Sequence, residues 1–384
     1  MQFEFATATR IIFGAGVLGQ VGPLVKPSGR RALVVTGSQP QRAEKLLANL
    51  AANGISTATF AVAGEPDLPT VENGTAFAQQ HNCDCVIALG GGSVMDAGKA
   101  IAAMLTNDGE LSDYLEIIGR GKTLVHPPAA FFAIPTTAGS GSEVTRNAVL
   151  ASPEHKLKVS LRSPRMLATA ALIDPELTYD LPQAVTASTG LDALTQLIEP
   201  YVCLRANPMT DGLCLEGLTR AARSLRAVFN NGHDKAARED MAVASLHGGL
   251  ALANAGLGAV HGFAGVLGGM FAAPHGAVCA ALLPHVMTTN IQALREREPE
   301  GAALKRYRRI ACLLTADPDA AADAGVAWVR QLVADLRIPP LRGYGITPEH
   351  VATVVARAAN ASSMKANPIA LTPEELTSTL RQAL

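Results

Sequence analysis

Across residues 1–180, short β-branched and apolar runs alternate with stretches of helical period. The runs fall at 31–36, 56–60, 85–89 and 131–135, and helix-like segments lie between or after them at 41–53, 70–81 and 94–105. This alternation predicts βαβ crossovers and a largely parallel sheet. After Ile173-Asp174-Pro175-Glu176 the strand signals stop. From Pro182 onward the chain is rich in Ala and Leu, with a helical period broken by Gly and Pro, which predicts an all-helical second half. The expected fold is therefore an α/β amino-terminal domain over 1–180 with a mostly parallel sheet, followed by an all-helical carboxy-terminal domain over 181–384.

Length agrees with this division, because 384 residues suit two cores better than one. A net charge of −1, with 17% charged residues and no long run of one sign, leaves no footprint for nucleic acid or an anionic membrane and favours a small-molecule ligand. The first residues, Met1-Gln2-Phe3-Glu4-Phe5, lack a basic segment followed by an apolar stretch, so a cytosolic location is expected. Six scattered cysteines form no CxxC pair and read as small buried apolar residues rather than a disulfide framework. The stretch 241–273 is strongly apolar, but His247, Asn254, His261 and repeated glycines interrupt it. Closely packed helices, not a membrane span, account for that composition.

Two loops carry candidate nucleotide chemistry. Gly90-Gly91-Gly92-Ser93 follows the run at 85–89 and opens a helix containing Asp96 and Lys99. Glycines let the backbone approach a pyrophosphate, and the N–H groups of a helix start supply donors and positive potential. Ser93 is expected to cap this helix. A tight strand–helix turn would use the same glycines, but a second loop follows another apolar run. There, Thr136-Thr137-Ala138-Gly139-Ser140-Gly141 presents hydroxyls suited to a phosphate, ribose or carboxamide. Neither loop is a GxGxxG or GxxxxGK[ST] fingerprint.

In the second half, Asp192 and Gln196 are spaced i, i+4, which puts both on one helix face. His261 and His275 lie in Ala-Val-His-Gly-Phe and Ala-Pro-His-Gly-Ala segments. Taken by spacing, the four are either ligands of one metal or ordinary core residues.

Together, Ile12-Phe13-Gly14-Ala15-Gly16, the GGGS loop, the Pro-Thr-Thr-Ala-Gly loop, Gly190-Leu191-Asp192-Ala193-Leu194, the His261 segment and Pro274-His275-Gly276 leading to Leu283-Pro284-His285 resemble the iron-containing (group III) alcohol dehydrogenase family over nearly the full length. The resemblance implies a dehydroquinate-synthase-like fold, with NAD(P) bound by the amino-terminal domain and a divalent metal, iron or zinc, bound by the helical domain. The family's aspartate and three histidine ligands map onto Asp192, Gln196, His261 and His275, so glutamine stands at one histidine position. A further family histidine, a candidate proton relay, maps onto Gly265. Asp192, His261 and His275 would still form a two-histidine, one-carboxylate set of the kind that holds Fe(II) or catalytic zinc.

For the cofactor, the resemblance puts Gly37 where NAD-using members commonly carry an acid. Without that carboxylate a 2′-phosphate is not repelled, and Ser38 or Arg42 can contact it; NAD or NADP is expected. Gly90, Gly91, Gly92, Ser93, Asp96, Thr136, Thr137 and Ser140 are the remaining nucleotide candidates. Lys158 matches a family lysine near the nucleotide, with Lys156 and Arg162 as weaker candidates and a solvated surface lysine as the alternative. The expected reaction is hydride transfer between NAD(P) and a small alcohol, aldehyde or ketone, with the metal as Lewis acid. The alternatives are a metal-independent reductase of an unsaturated or oxo acid, resembling maleylacetate reductase, and a nucleotide-binding protein that has lost catalysis. His247 and His285 are spare proton carriers, although a core or surface role suits both. Homo-oligomerisation is consistent with the resemblance, and its order is not encoded in any motif.

Overall fold

The computed structural model describes residues 2–384 and divides the chain into two compact units. The first comprises Thr7–Thr137 and Ser142–Thr178; the second comprises the residues up to Ala6, Ala138–Gly141 and Tyr179–Leu384.

The first unit is built on six parallel strands in the order β1-β8-β5-β4-β2-β3. They are β1 (Ile11–Phe13), β2 (Arg31–Thr36), β3 (Ser56–Ala61), β4 (Cys85–Gly90), β5 (Ala130–Pro135) and β8 (Ala170–Ile173). Its helices are α1 (Val21–Val25), α2 (Glu44–Ala52), α3 (Leu68–Gln80), α4 (Gly92–Met104) and α5 (Leu111–Tyr114). Val34, Ile87, Phe132 and Leu172 pack with Val21, Leu46 and Leu50 in one core. The alternate residues Leu33, Val35, Val86, Ala88, Phe131 and Ala133 are equally buried. Both faces of the sheet are covered, which is why β2, β4 and β5 read as unbroken apolar runs. The strand–helix alternation is thus as expected, while an antiparallel hairpin, β6 (Asn147–Ser152) with β7 (Leu157–Arg162), was not foreseen. Its half-buried, polar-interrupted sequence gives too weak an apolar signal.

The second unit is helical, as its composition predicts: α6 (Gln183–Val202), α7 (Pro208–Asn230), α8 (Lys235–Asn254), α9 (Ala259–Met270), α10 (His275–Arg297), α11 (Ala302–Thr315), α12 (Ala322–Asp335), α13 (Val351–Ala358) and α14 (Pro373–Gln382). Every residue of α6 from Gly190 to Val202 is buried, so this helix runs through the core. The apolar stretch at 241–273 is split into α8 and α9, bent by 95°. Helix α10 is long and apolar enough to cross a membrane, yet 83% of its most apolar window is buried inside the protein; it is a core helix.

Candidate functional site

Helix α6 presents Asp192, Gln196 and Glu199 at i, i+4 and i+7, all buried on one face. His261 lies in the first turn of α9, His275 is the first residue of α10, and Cys279 follows His275 by one turn. Gly276 makes their convergence sterically feasible. A Cβ there would lie 2.4 Å from the Ser188 carbonyl oxygen and 3.3 Å from Asp192 Cβ, so a side chain would drive the start of α10 off α6.

One ligand atom from each of Asp192, His261, His275 and Cys279 lies within 4.8 Å of the others. Asp192 Oδ1 is 3.4 Å from His261 Nε2 and 3.9 Å from His275 Nε2, while Cys279 Sγ is 3.9 Å from His261 Nε2 and 3.7 Å from His275 Nε2. A tetrahedral ion with bonds of about 2.0–2.3 Å separates its ligands by roughly 3.3–3.8 Å, within a few tenths of an ångström of these distances. Asp192 Oδ1 is buried without a hydrogen-bond partner, a cost that protein interiors rarely leave uncompensated. A cation accounts for both observations, and the residues fit a divalent metal.

The opposite edge of His261 is fixed. Glu199 Oε2 lies 2.6 Å from His261 Nδ1, so Nδ1 donates its proton there and, in the neutral ring, Nε2 turns its lone pair toward Asp192 and Cys279. This carboxylate–imidazole arrangement orients metal-binding histidines generally. The other Glu199 oxygen accepts the Val260 N–H at 2.7 Å, and Asn367 Oδ1 accepts that of Ala259 at 3.1 Å. The two side chains thereby satisfy the start of α9, whose N-cap, Gly258, has no side chain to do so. Asn367 is held in turn by Asn290, which also donates to the Tyr307 hydroxyl at 3.0 Å. Sequence reasoning did not assign Glu199 or Cys279. Both were accessible from helical period, at i+7 from Asp192 and i+4 from His275, but Glu199 matched no motif and Cys279 passed for an apolar filler.

The cluster is strongly polarised. Burial alone would push His261 down, but Cys279, Asp192 and Glu199 together hold it well above the ordinary imidazole value. Cys279 raises His275 against the opposing effect of burial. The Cys279 thiol and the Asp192 carboxyl resist the upward push of burial and are lowered by the two imidazoles. The site favours positive charge at its centre, which protonated imidazoles or a cation can supply.

Gln196 Oε1 is likewise buried without a hydrogen-bond partner. Gly265 is exposed, with nothing within 4 Å of where its Cβ would be. His247 and His285 are half-buried, and burial lowers the pKa of each.

The nucleotide candidates fall mainly in the first unit. Gly90 ends β4, Gly91 is the N-cap of α4, and Gly92 and Ser93 are its first two residues. The expectation that Ser93 caps this helix is incorrect. The cap is Gly91, and no side chain bonds across it, because the helix begins at Gly92, two residues earlier than the serine would require. Asp96 is engaged internally: its Oδ1 accepts from the Ser142 hydroxyl at 2.6 Å, its Oδ2 accepts the Val149 N–H at 3.2 Å, and Lys99 lies 3.2 Å away. Thr136 and Thr137 are half-buried after β5, whereas Ser140 groups with the helical unit. Gly37 and Ser38 follow β2, and Arg42 is exposed beyond them. Lys158 pairs with Glu65 at 2.6 Å, and Arg162 pairs with Glu116 at 2.9 Å. Lys156 is exposed, with a left-handed φ of 51°.

Residues 8–175 match the family described as iron-containing alcohol dehydrogenase, and residues 186–384 match the C-terminal domain of the same family. The chain is 36% identical to 1,3-propanediol dehydrogenase from Klebsiella pneumoniae, covering 99% of this chain and 98% of that one. It is 34% identical to alcohol dehydrogenase 4 from Saccharomyces cerevisiae (strain YJM789), covering 97% and 96%. A crystal structure of 1,3-propanediol oxidoreductase superposes with a TM-score of 0.93, at 34% identity and full coverage of both chains.

Proposed function

Because the chain belongs to the iron-containing alcohol dehydrogenase family and is an NAD(P)-linked alcohol oxidoreductase, we propose that Asp192, His261 and His275 are its metal-binding residues and that it interconverts a small alcohol with its aldehyde or ketone. The observation that carries the assignment is the convergence of three ligand atoms on one buried point, with Asp192 Oδ1 unpartnered. When bound, the metal supplies a Lewis acid that makes the alcohol easier to deprotonate, while the nicotinamide carries the hydride. The protein's residues orient the site: Glu199 fixes the His261 ring, and Asp192 is held with its carboxylate ionised by the two imidazoles. Gln196 adds a neutral amide oxygen on the Asp192 face of α6, available to a proton-bearing group of the substrate. Gly265 offers no proton carrier, so the proton reaches solvent through water or the cofactor's ribose hydroxyls.

The nucleotide is assigned to the α4 start at Gly90-Gly91-Gly92-Ser93, the hydroxyls of Thr136, Thr137 and Ser140, and the β2 end at Gly37 and Ser38. Asp96 supports that site indirectly, since its two oxygens are occupied by Ser142 and Val149. Lys158, paired with Glu65, would have to exchange that partner to reach a phosphate. NADP is accepted because no carboxylate stands at residue 37. A Cβ there would meet only Val94 Cγ2, at 4.0 Å, so Gly37→Asp is tolerated. Its carboxylate should weaken NADPH use relative to NADH by about tenfold or more, through like-charge repulsion; an unchanged ratio would remove residue 37 from the ribose site.

Purification without chelator, followed by metal analysis and turnover of NADH and NADPH against a panel of short aldehydes, tests the whole reading. Stoichiometric divalent metal, with activity lost on chelation and regained on metal addition, is expected. Full turnover by a metal-free sample would defeat metal assistance in favour of a metal-independent reductase.

A further inference from the structure

We propose that Cys279 supplies the fourth protein ligand of the metal, as a thiolate, in place of the imidazole that Gln196 cannot provide. This rests on the metal reading above and changes the chemistry of the site.

An amide oxygen is a neutral, weak donor, so a set of Asp192, Gln196, His261 and His275 would bind metal less firmly than one with a third imidazole. Cys279 stands one helical turn after His275 and projects from the same side of α10. Its Sγ lies 3.7 and 3.9 Å from the two Nε2 atoms, and it shares the 4.8 Å cluster with Asp192. This is the sole grouping of its kind among the described residues. Since His261 Nδ1 is committed to Glu199, the nitrogen facing Cys279 is the one that carries a lone pair when the ring is neutral. In that neutral form a lone pair, a carboxylate oxygen and a sulfur face one another, and a central cation would be a partner common to all three.

Charge balance points the same way. Among the direct ligands, a divalent ion with one carboxylate and neutral donors keeps one positive charge, which is offset only from behind His261 by the buried Glu199 carboxylate; a thiolate would neutralise it at the ion itself, where separation of charge costs least. On binding, the Cys279 S–H bond is replaced by an S–metal bond and its proton passes to solvent; no oxidant or reductant is involved. A mixed thiolate, imidazole and carboxylate set suits zinc better than the harder Fe(II).

X-ray absorption at the metal edge of the zinc-reconstituted protein tests this directly. The expected result is one sulfur scatterer at about 2.3 Å beside nitrogen and oxygen at roughly 2.0–2.2 Å. Cobalt(II)-substituted protein should show a thiolate-to-metal charge-transfer band. Cys279→Ser, with folding checked by circular dichroism, should lose both signals and weaken zinc affinity by about tenfold or more, since even an outer partner of a ligand contributes that much. Bound metal with a nitrogen and oxygen shell only, or a sulfur signal that survives Cys279→Ser, would overturn the proposal and leave the previous reading intact. Failure of the wild-type protein to take up metal would overturn both.

Discussion

At the scale of single residues, the site depends on how each candidate ligand is held. His261 is oriented by one contact, to Glu199 Oε2 at 2.6 Å, and the same carboxylate satisfies the start of α9. Glu199→Gln preserves shape and removes the charge that stabilises the Nδ1–H. Metal affinity is expected to fall by about 10–100-fold, measurable by competition with a chromophoric chelator; an unchanged affinity would show that the contact is only structural. Asp192, His261 and His275 could be singled out as candidates in the sequence because each sits in a distinctive local motif, and the fold brings the three together. Glu199 and Cys279 were not, since a glutamate in an amphipathic helix and a cysteine among alanines look alike whether or not a histidine from another helix stands beside them.

At the scale of elements, two glycines that look equivalent in the sequence are opposite in cost. Gly265 lies mid-helix in α9 with open space around it, so Gly265→Ala should stabilise by about 1 kcal/mol through helix propensity. Gly98 lies mid-helix in α4, where a Cβ would come within 2.9 Å of both Ala88 Cβ and Phe131 Cε2. Gly98→Ala should therefore destabilise by about 1–3 kcal/mol through overpacking. Denaturant unfolding of the two variants checks the pair, and shifts of the same sign would contradict it. Strands β2, β4 and β5 were legible because they are buried on both faces and read as continuous apolar runs. The hairpin β6–β7 was not, although its pairing is local, because its strands are buried only at alternate positions and give no continuous apolar run.

At the scale of the whole molecule, buried charge ties stability to pH. Lys99 is buried on α4 and donates to the Ser142 hydroxyl at 2.7 Å, the Thr145 hydroxyl at 2.9 Å and the Asn147 carbonyl, anchoring the segment after the second candidate nucleotide loop. Nearby Glu143 is buried, and burial raises its pKa to about 7, against the lowering effects of its own backbone N–H and Lys99. The folded chain therefore keeps this proton up to about pH 7, whereas the unfolded chain releases it near pH 4.5. Between those values the folded state binds more protons, so the stability Glu143 contributes falls as pH rises. Glu143→Gln removes that dependence, and its melting temperature relative to wild type should climb from about pH 5 to about pH 8; a constant difference would show that Glu143 does not titrate in this range. The sequence by itself determined the strand–helix alternation of the first half, the passage from parallel sheet to helices and the glycine loops, since these depend on period, local composition and motif; the departures at Gln196 and Gly265 are what the family resemblance implies. Tertiary structure alone decided that Cys279 meets two imidazoles, that Glu199 orients one of them and that Asp96 is already occupied, because these contacts join residues up to 62 positions apart and exist only once the helices and loops have packed.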